Sequence, residues 1–123
     1  MNTLCRPMCC EMKKLRKLLT ERGISWKDAS STSTDEAIRH NIAIGIDKAY
    51  ADSTMYRTHF ETGGYKYSVI YGYGSYGGYD PCNGADDGLL ECMTGALNGG
   101  EPVGGMTAED IMRVVDGTYD AGI

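Results

Sequence analysis

The strongest constraint in this chain is a pair of glycines, Gly63-Gly64, set between two runs that read as strands. Met55–Thr62 and Tyr65–Tyr73 are rich in Tyr, Thr, Val and Phe. Two glycines between them supply the positive φ angles of a tight hairpin turn. With that turn the numbers of paired residues sum to 127, so Glu61 faces Lys66, Phe60 faces Tyr67, Thr58 faces Val69 and Tyr56 faces Tyr71. Opposite charges and aromatic pairs both fall into register, and a slip of one residue would lose both. One face then collects Tyr56, Thr58, Phe60, Tyr65, Tyr67, Val69 and Tyr71. The other collects Arg57, His59, Glu61, Lys66, Ser68 and Ile70.

Helical signals flank this hairpin. Met12, Leu15, Leu18, Leu19 and Arg22 recur at helical spacing, with Lys13, Lys14, Arg16 and Lys17 opposite and Gly23 as the stop. This predicts a helix over 10–22, and the alternation in Ile24–Lys27 predicts a short strand. Ser33 with Glu36 reads as a capping box. It opens a second helix carrying Ile38, Ile42, Ile46 and Tyr50, which Gly45 is placed to break. Leu89, Leu90, Met93 and Leu97 predict a third helix over 87–97, followed by a loop over 98–105. Thr107 caps a last helix with Glu109 and Asp110 in its first turn and Gly117 at its end. The expected order is α-β-α-β-β-α-α. That is an α+β fold, a small antiparallel sheet built on the hairpin with about four packed helices.

At 123 residues the chain makes one domain. Residues 1–11 read as a flexible Cys-containing tail and 12–123 as the domain. The five cysteines, Cys5, Cys9, Cys10, Cys82 and Cys92, are odd in number and lack paired C-x-x-C spacing. They are expected to be reduced thiols, with no metal and no cofactor. No apolar run is long enough to span a membrane and no leader opens the chain, so a cytoplasmic location is expected. Residues 1–27 hold seven Lys/Arg against two acids, and residues 28–123 five against fifteen. An acidic body of this kind repels nucleic acid and attracts cationic proteins.

The unusual stretch is Tyr65–Asp80, YKYSVIYGYGSYGGYD, with six of the nine tyrosines. Its second half is broken by Gly72, Gly74, Gly77 and Gly78 and cannot be regular structure. Tyrosine offers a stacking face and a hydroxyl, and glycine lets backbone N–H groups approach a ligand closely. Tyr71, Tyr73, Gly74, Ser75, Tyr76, Gly77, Gly78, Tyr79 and Asp80 are therefore the candidate ligand-binding residues. The loop is expected to lead into a helix N-terminus near Asp87, a favourable place for phosphate. Asp80, Asp86, Asp87 and Glu91 fit no metal-loop spacing. His40 and His59 neighbour no serine or cysteine in a nucleophile motif, so no catalytic residues are assigned.

At MKKLRKLLTERGISWKDAS, YSVIYGYGSYGGYD, DGLLECM and MTAEDIMRVVDG the chain resembles small accessory proteins of phages and prophages of Gram-positive bacteria. Those share a short basic helix, a strand with a V-I-x-G-Y-G-x-Y-G-G core, a G-L-L-E-M segment and a closing T-A-E-x-V helix. The core is Val69–Gly78 here, and the Cys-rich tail and much of residues 30–55 lie outside the resemblance. The resemblance implies a counter-defence role in the host bacterial cytoplasm. Two forms of it are open. In one, the Tyr-Gly loop sequesters a nucleotide-like immune signal, with a homo-oligomer enclosing the ligand. In the other, the acidic surface inhibits a host defence protein such as a CRISPR nuclease. Neither involves direct nucleic-acid or membrane binding.

Overall fold

The computed structural model describes residues 4–120. Helix α1 (Cys10–Glu21) opens it, followed by strand β1 (Trp26–Asp28), helix α2 (Asp35–Ala43) and a single helical turn, α3 (Lys48–Ala51). The hairpin strands β2 (Met55–Thr62) and β3 (Tyr65–Gly72) come next, then a two-stranded ribbon of β4 (Tyr79–Asp80) and β5 (Ala85–Asp86). Strands β6 (Leu90–Thr94) and β7 (Val103–Met106) and helix α4 (Ala108–Asp116) complete the chain. Among the described residues the main sheet has five antiparallel strands in the order β1-β2-β3-β6-β7. The fold is α+β, with a sheet larger than the expected hairpin.

The hairpin register is the expected one along its whole length, from Met55 opposite Gly72 to Thr62 opposite Tyr65. Gly63 and Gly64 turn at φ +59° and +82°. Tyr67, Val69 and Tyr71 are buried, as are Thr58 and Phe60 across from them, and the Phe60 and Tyr67 rings stack at 4.5 Å. Tyr65 shares their parity but is 47% exposed, because it sits at the hairpin tip beside the turn. The core joins this face to Met12, Leu15 and Leu19 of α1 and Ile111, Met112 and Val114 of α4. The opposite face carries Arg57, His59, Glu61, Lys66, Ser68 and Ile70 together with Glu91 and Met93 of β6, none of them buried.

The structure departs from the expected elements at several points. The helix over 87–97 is a turn followed by β6, which pairs with β3 from Tyr67–Thr94 to Ile70–Glu91. Leu90, Cys92 and Thr94 are buried while Glu91 and Met93 point outward, a period of two that the apolar spacing concealed. Gly88 at φ +65° and the turn after Thr94 bound the segment, and its five strand residues satisfy the free edge of β3. The loop over 98–105 ends earlier, at the edge strand β7. The second helix breaks where Gly45 is placed to break it, with Gly45 at φ +97° between α2 and α3. Its cap is Thr34 rather than Ser33. Thr34 Oγ1 accepts from Ala37 N at 3.1 Å, and Ser33 Oγ instead accepts from Ser53 N. The boundary expected between residues 11 and 12 falls inside α1.

The basic face of α1 answers the acidic part of its own chain. Arg22 holds Asp116 with two hydrogen bonds of 2.6 and 2.7 Å, Lys14 bonds Glu109, and Arg16 reaches Asp28, Thr58 Oγ1 and the Arg57 carbonyl while lying over the Trp26 ring. Hydrogen bonds from Arg22 and Lys14 hold Asp116 and Glu109 below the usual carboxylate range. A depressed carboxylate contributes stability that is complete above its unfolded pKa, 3.8 for Asp and 4.5 for Glu here, and is lost as pH falls through the lower folded value. Arg22→Gln should therefore lower the melting temperature slightly at pH 6, and the gap to the parent should close as pH falls below the ordinary Asp value of 3.8. A gap independent of pH and salt would show that the pair contributes by packing alone.

Candidate functional site

The Tyr-Gly stretch divides where β3 ends. Gly72 lies at φ +151°, and a Cβ there would meet the Thr54 carbonyl oxygen at 2.4 Å. From this point the backbone folds onto itself. Ser75 Oγ, buried, donates to Gly72 O at 3.0 Å and accepts from Gly72 N at 3.1 Å. Gly74 N donates to Tyr79 O, Ser75 N to Gly72 O and Gly78 N to Ser75 O. Tyr76 N donates to Glu91 Oε1 at 2.8 Å, while Tyr76 O accepts from Gly105 N. Gly104 of β7 is there because a Cβ would lie 2.2 Å from the Tyr76 Cβ. Most of these glycines thus permit close packing of the chain against itself. Gly74, with open space around it, is the exception.

The loop borders a cleft of about 390 Å³. Gly74, Ser75, Tyr76, Gly77 and Gly78 line it, with Asp80, Asn83, Ala85 and Asp87 from the β4–β5 ribbon and its exit. The Tyr76 ring is 68% exposed. Six of the nine predicted site residues are brought together in this way. The other three are not. Tyr73 meets Tyr50 edge to face at 6.3 Å. Tyr71 is 3% exposed, and its hydroxyl donates to Asp86 Oδ2 at 2.7 Å. Burial, then that hydrogen bond, pushes the Tyr71 phenol well above its ordinary pKa. Tyr79 lies under the guanidinium of Arg6, 3.4 Å from the ring centre.

The expected helix N-terminus near Asp87 is absent, because Asp86 closes β5 and caps Gly88 N instead. With Gly74, Ser75 and Gly78 spending their N–H groups inside the loop, Tyr76 spending its own on Glu91 and two carboxylates at the cleft, phosphate is poorly served. A flat group bearing N–H donors is better served. Tyr76 offers it a stacking face, Asp80 and Asp87 are acceptors, and Asn83 adds an amide. Among the described residues no His/Cys/Asp/Glu cluster has the geometry to hold a metal ion. Asp86 and Glu91 are instead engaged by Arg6, Tyr71 and the Tyr76 N–H.

Two other surface features went unread in the sequence. A hollow of about 400 Å³ opens on the outer sheet face beside His59, Glu61, Lys66, Ser68 and Met93. Arg6, a single cation in a stretch assigned to a tail, reaches Tyr79 and Asp86. Nothing in the local pattern signals that contact, which spans 80 residues. Among the described residues no disulfide forms, and burial pushes Cys92 up to about 12. No described helix is long and apolar enough to cross a membrane. No protein-family model matches the chain, and neither a curated protein nor a solved structure matches it.

Proposed function

We propose that this is a non-catalytic binding protein whose Tyr-Gly cleft holds a nucleotide-like small molecule by its base. The observation that carries this reading is the meeting of an exposed tyrosine ring with Asp80, Asn83 and Asp87 around one cleft. A base stacks on such a ring, and its amino and imino groups donate to the carboxylates while its phosphates stay in solvent. His40 and His59 stand on separate exposed surfaces, which supports binding rather than turnover. The resemblance to phage accessory proteins gives the binding its role, capture of a nucleotide-derived signal of bacterial immunity. A homo-oligomer belongs to this reading, because the cleft is open and a second protomer's loop would close over the ligand. The alternative, an acidic inhibitor of a defence effector, has weaker support. Two carboxylates of its acidic face, Asp86 and Glu91, are already occupied within the chain.

Calorimetric titration with cyclic adenine and guanine dinucleotides tests the proposal. Tyr76→Ala should weaken binding by about 1–3 kcal/mol, the worth of one base–aromatic stack, and leave the melting temperature unchanged. Full affinity in that variant would remove the cleft as the site, and no binding to the parent protein would remove the ligand class.

A further inference from the structure

Residues 4–7 lie on the domain as a bound peptide lies in a groove. Leu4 N donates to Asp35 Oδ1 at 2.7 Å, and Arg6 N donates to Asp52 Oδ2 at 2.6 Å. The Arg6 carbonyl accepts from the Tyr56 hydroxyl at 2.6 Å. All three bonds are made by main-chain atoms of the segment, so these contacts read backbone and not sequence. Sequence is read at one position. The Arg6 guanidinium stacks on Tyr79 at 3.4 Å and bonds Asp86 Oδ2 at 3.0 Å, and Tyr71 fixes that carboxylate from behind. Four parts of the fold supply these groups: the first turn of α2, the turn before β2, β2 itself, and the ribbon with the end of β3.

We propose that this groove is a recognition site for a polypeptide segment carrying an arginine, and that residues Leu4–Pro7 are its resident ligand. The groove continues beside the resident segment as a space of about 530 Å³ lined by Ile38, Ile42, Ala49 and the stem of Lys48, room for the side chains flanking a bound arginine. Its occupant is set by charge. Asp35, only 9% exposed, and Asp52 and Asp86 each accept a hydrogen bond from one short segment, and carboxylates so placed favour a donor-rich partner. A guanidinium satisfies both the flat ring and the carboxylate, whereas an ammonium has no face to stack. The segment lies outside every helix and strand and is tethered to α1 through Met8 and Cys9, and that tethering raises the concentration that a competing segment must reach. A partner protein presenting an arginine on an irregular segment takes the place of residues 4–7.

The test uses the full chain with Arg6→Ala and, as probe, an acetylated and amidated pentapeptide of the sequence of residues 4–8 with serine for the cysteine. The variant should bind this peptide at least about tenfold more tightly than the parent chain does, since its own competitor is weakened. The same peptide with lysine or citrulline in place of arginine should bind about tenfold more weakly. Equal binding of all three peptides, or none by a folded variant, would overturn the proposal. N-acetyl-arginine amide binding as tightly as the peptide would overturn its backbone part. Should the variant not fold, the parent chain decides. In its amide NMR spectrum excess peptide should move the Leu4 and Arg6 signals to free-chain positions, and unmoved signals would overturn the proposal.

Discussion

Gly72→Ala is expected to be among the most damaging single-methyl additions in this protein. The added Cβ would lie 2.4 Å from the Thr54 carbonyl oxygen and 3.0 Å from the Met55 Cα, both backbone atoms at the start of β2. Neither can rotate away as a side chain would. The residue also lies at φ +151°, a region that strains a residue with a side chain by roughly 1–3 kcal/mol. Relief requires the β2–β3 ladder to open at its Met55–Gly72 end, which also breaks the Ser75 bonds that staple the loop. A loss of more than about 3 kcal/mol is expected from strain and overpacking together, read as a lowered urea midpoint. Gly74→Ala is the matched control. It lies at φ +75° with nothing within 4 Å, so the backbone penalty alone applies, about 1–2 kcal/mol. Similar losses in the two variants would show that the close approach at Gly72 is not what the glycine is for.

This contrast marks how the loop was legible and how it was not. The sequence pattern sets Tyr65–Tyr73 as a strand, which ends one residue earlier at Gly72, and sets the following glycines as irregular chain. Glycine, however, has two uses that look identical in a sequence: to admit a ligand and to admit another part of the same backbone. Gly72, Gly77, Gly78 and Gly104 serve the second use. Only the distant partners Thr54, Gly105, Ser75 and Tyr76 reveal it. The same limit hid Arg6, whose partners Asp86 and Tyr79 are far along the chain and carry no pattern that refers back to it. Where the determining contacts are local, the reading holds. The hairpin register follows from two glycines and side-chain parity, and α4 follows from a Thr107–Asp110 capping box and Gly117 in the left-handed conformation at φ +72°.

The segment around Cys92 shows the harder case, in which local patterns conflict and a distant edge decides. Leu89, Leu90, Met93 and Leu97 satisfy helical spacing, while Leu90, Cys92 and Thr94 satisfy a strand. A helix would bury Met93 with the leucines. The strand leaves Met93 50% exposed and Cys92 fully buried. Substitution to aspartate separates the two arrangements without any structural probe. Cys92→Asp places a carboxylate with no partner in the core beside Val69, its neighbour across β3, and should destabilise the protein by more than about 4 kcal/mol. Met93→Asp should fall within about 1 kcal/mol of the parent, because its side chain stands on the outer face opposite Ser68. The native thiol points the same way. With its pKa pushed up to about 12, Cys92 keeps its proton when folded and loses it near 9 when unfolded. Stability from this group is thus complete below pH 9 and is lost as pH rises above it, and Cys92→Ala should remove that part of the alkaline slope. If Met93→Asp proved the more damaging substitution, β6 would not pair with β3. The ribbon that carries Asp80, Asp86 and Asp87 would then lose the strand that anchors its far end, and the cleft with it.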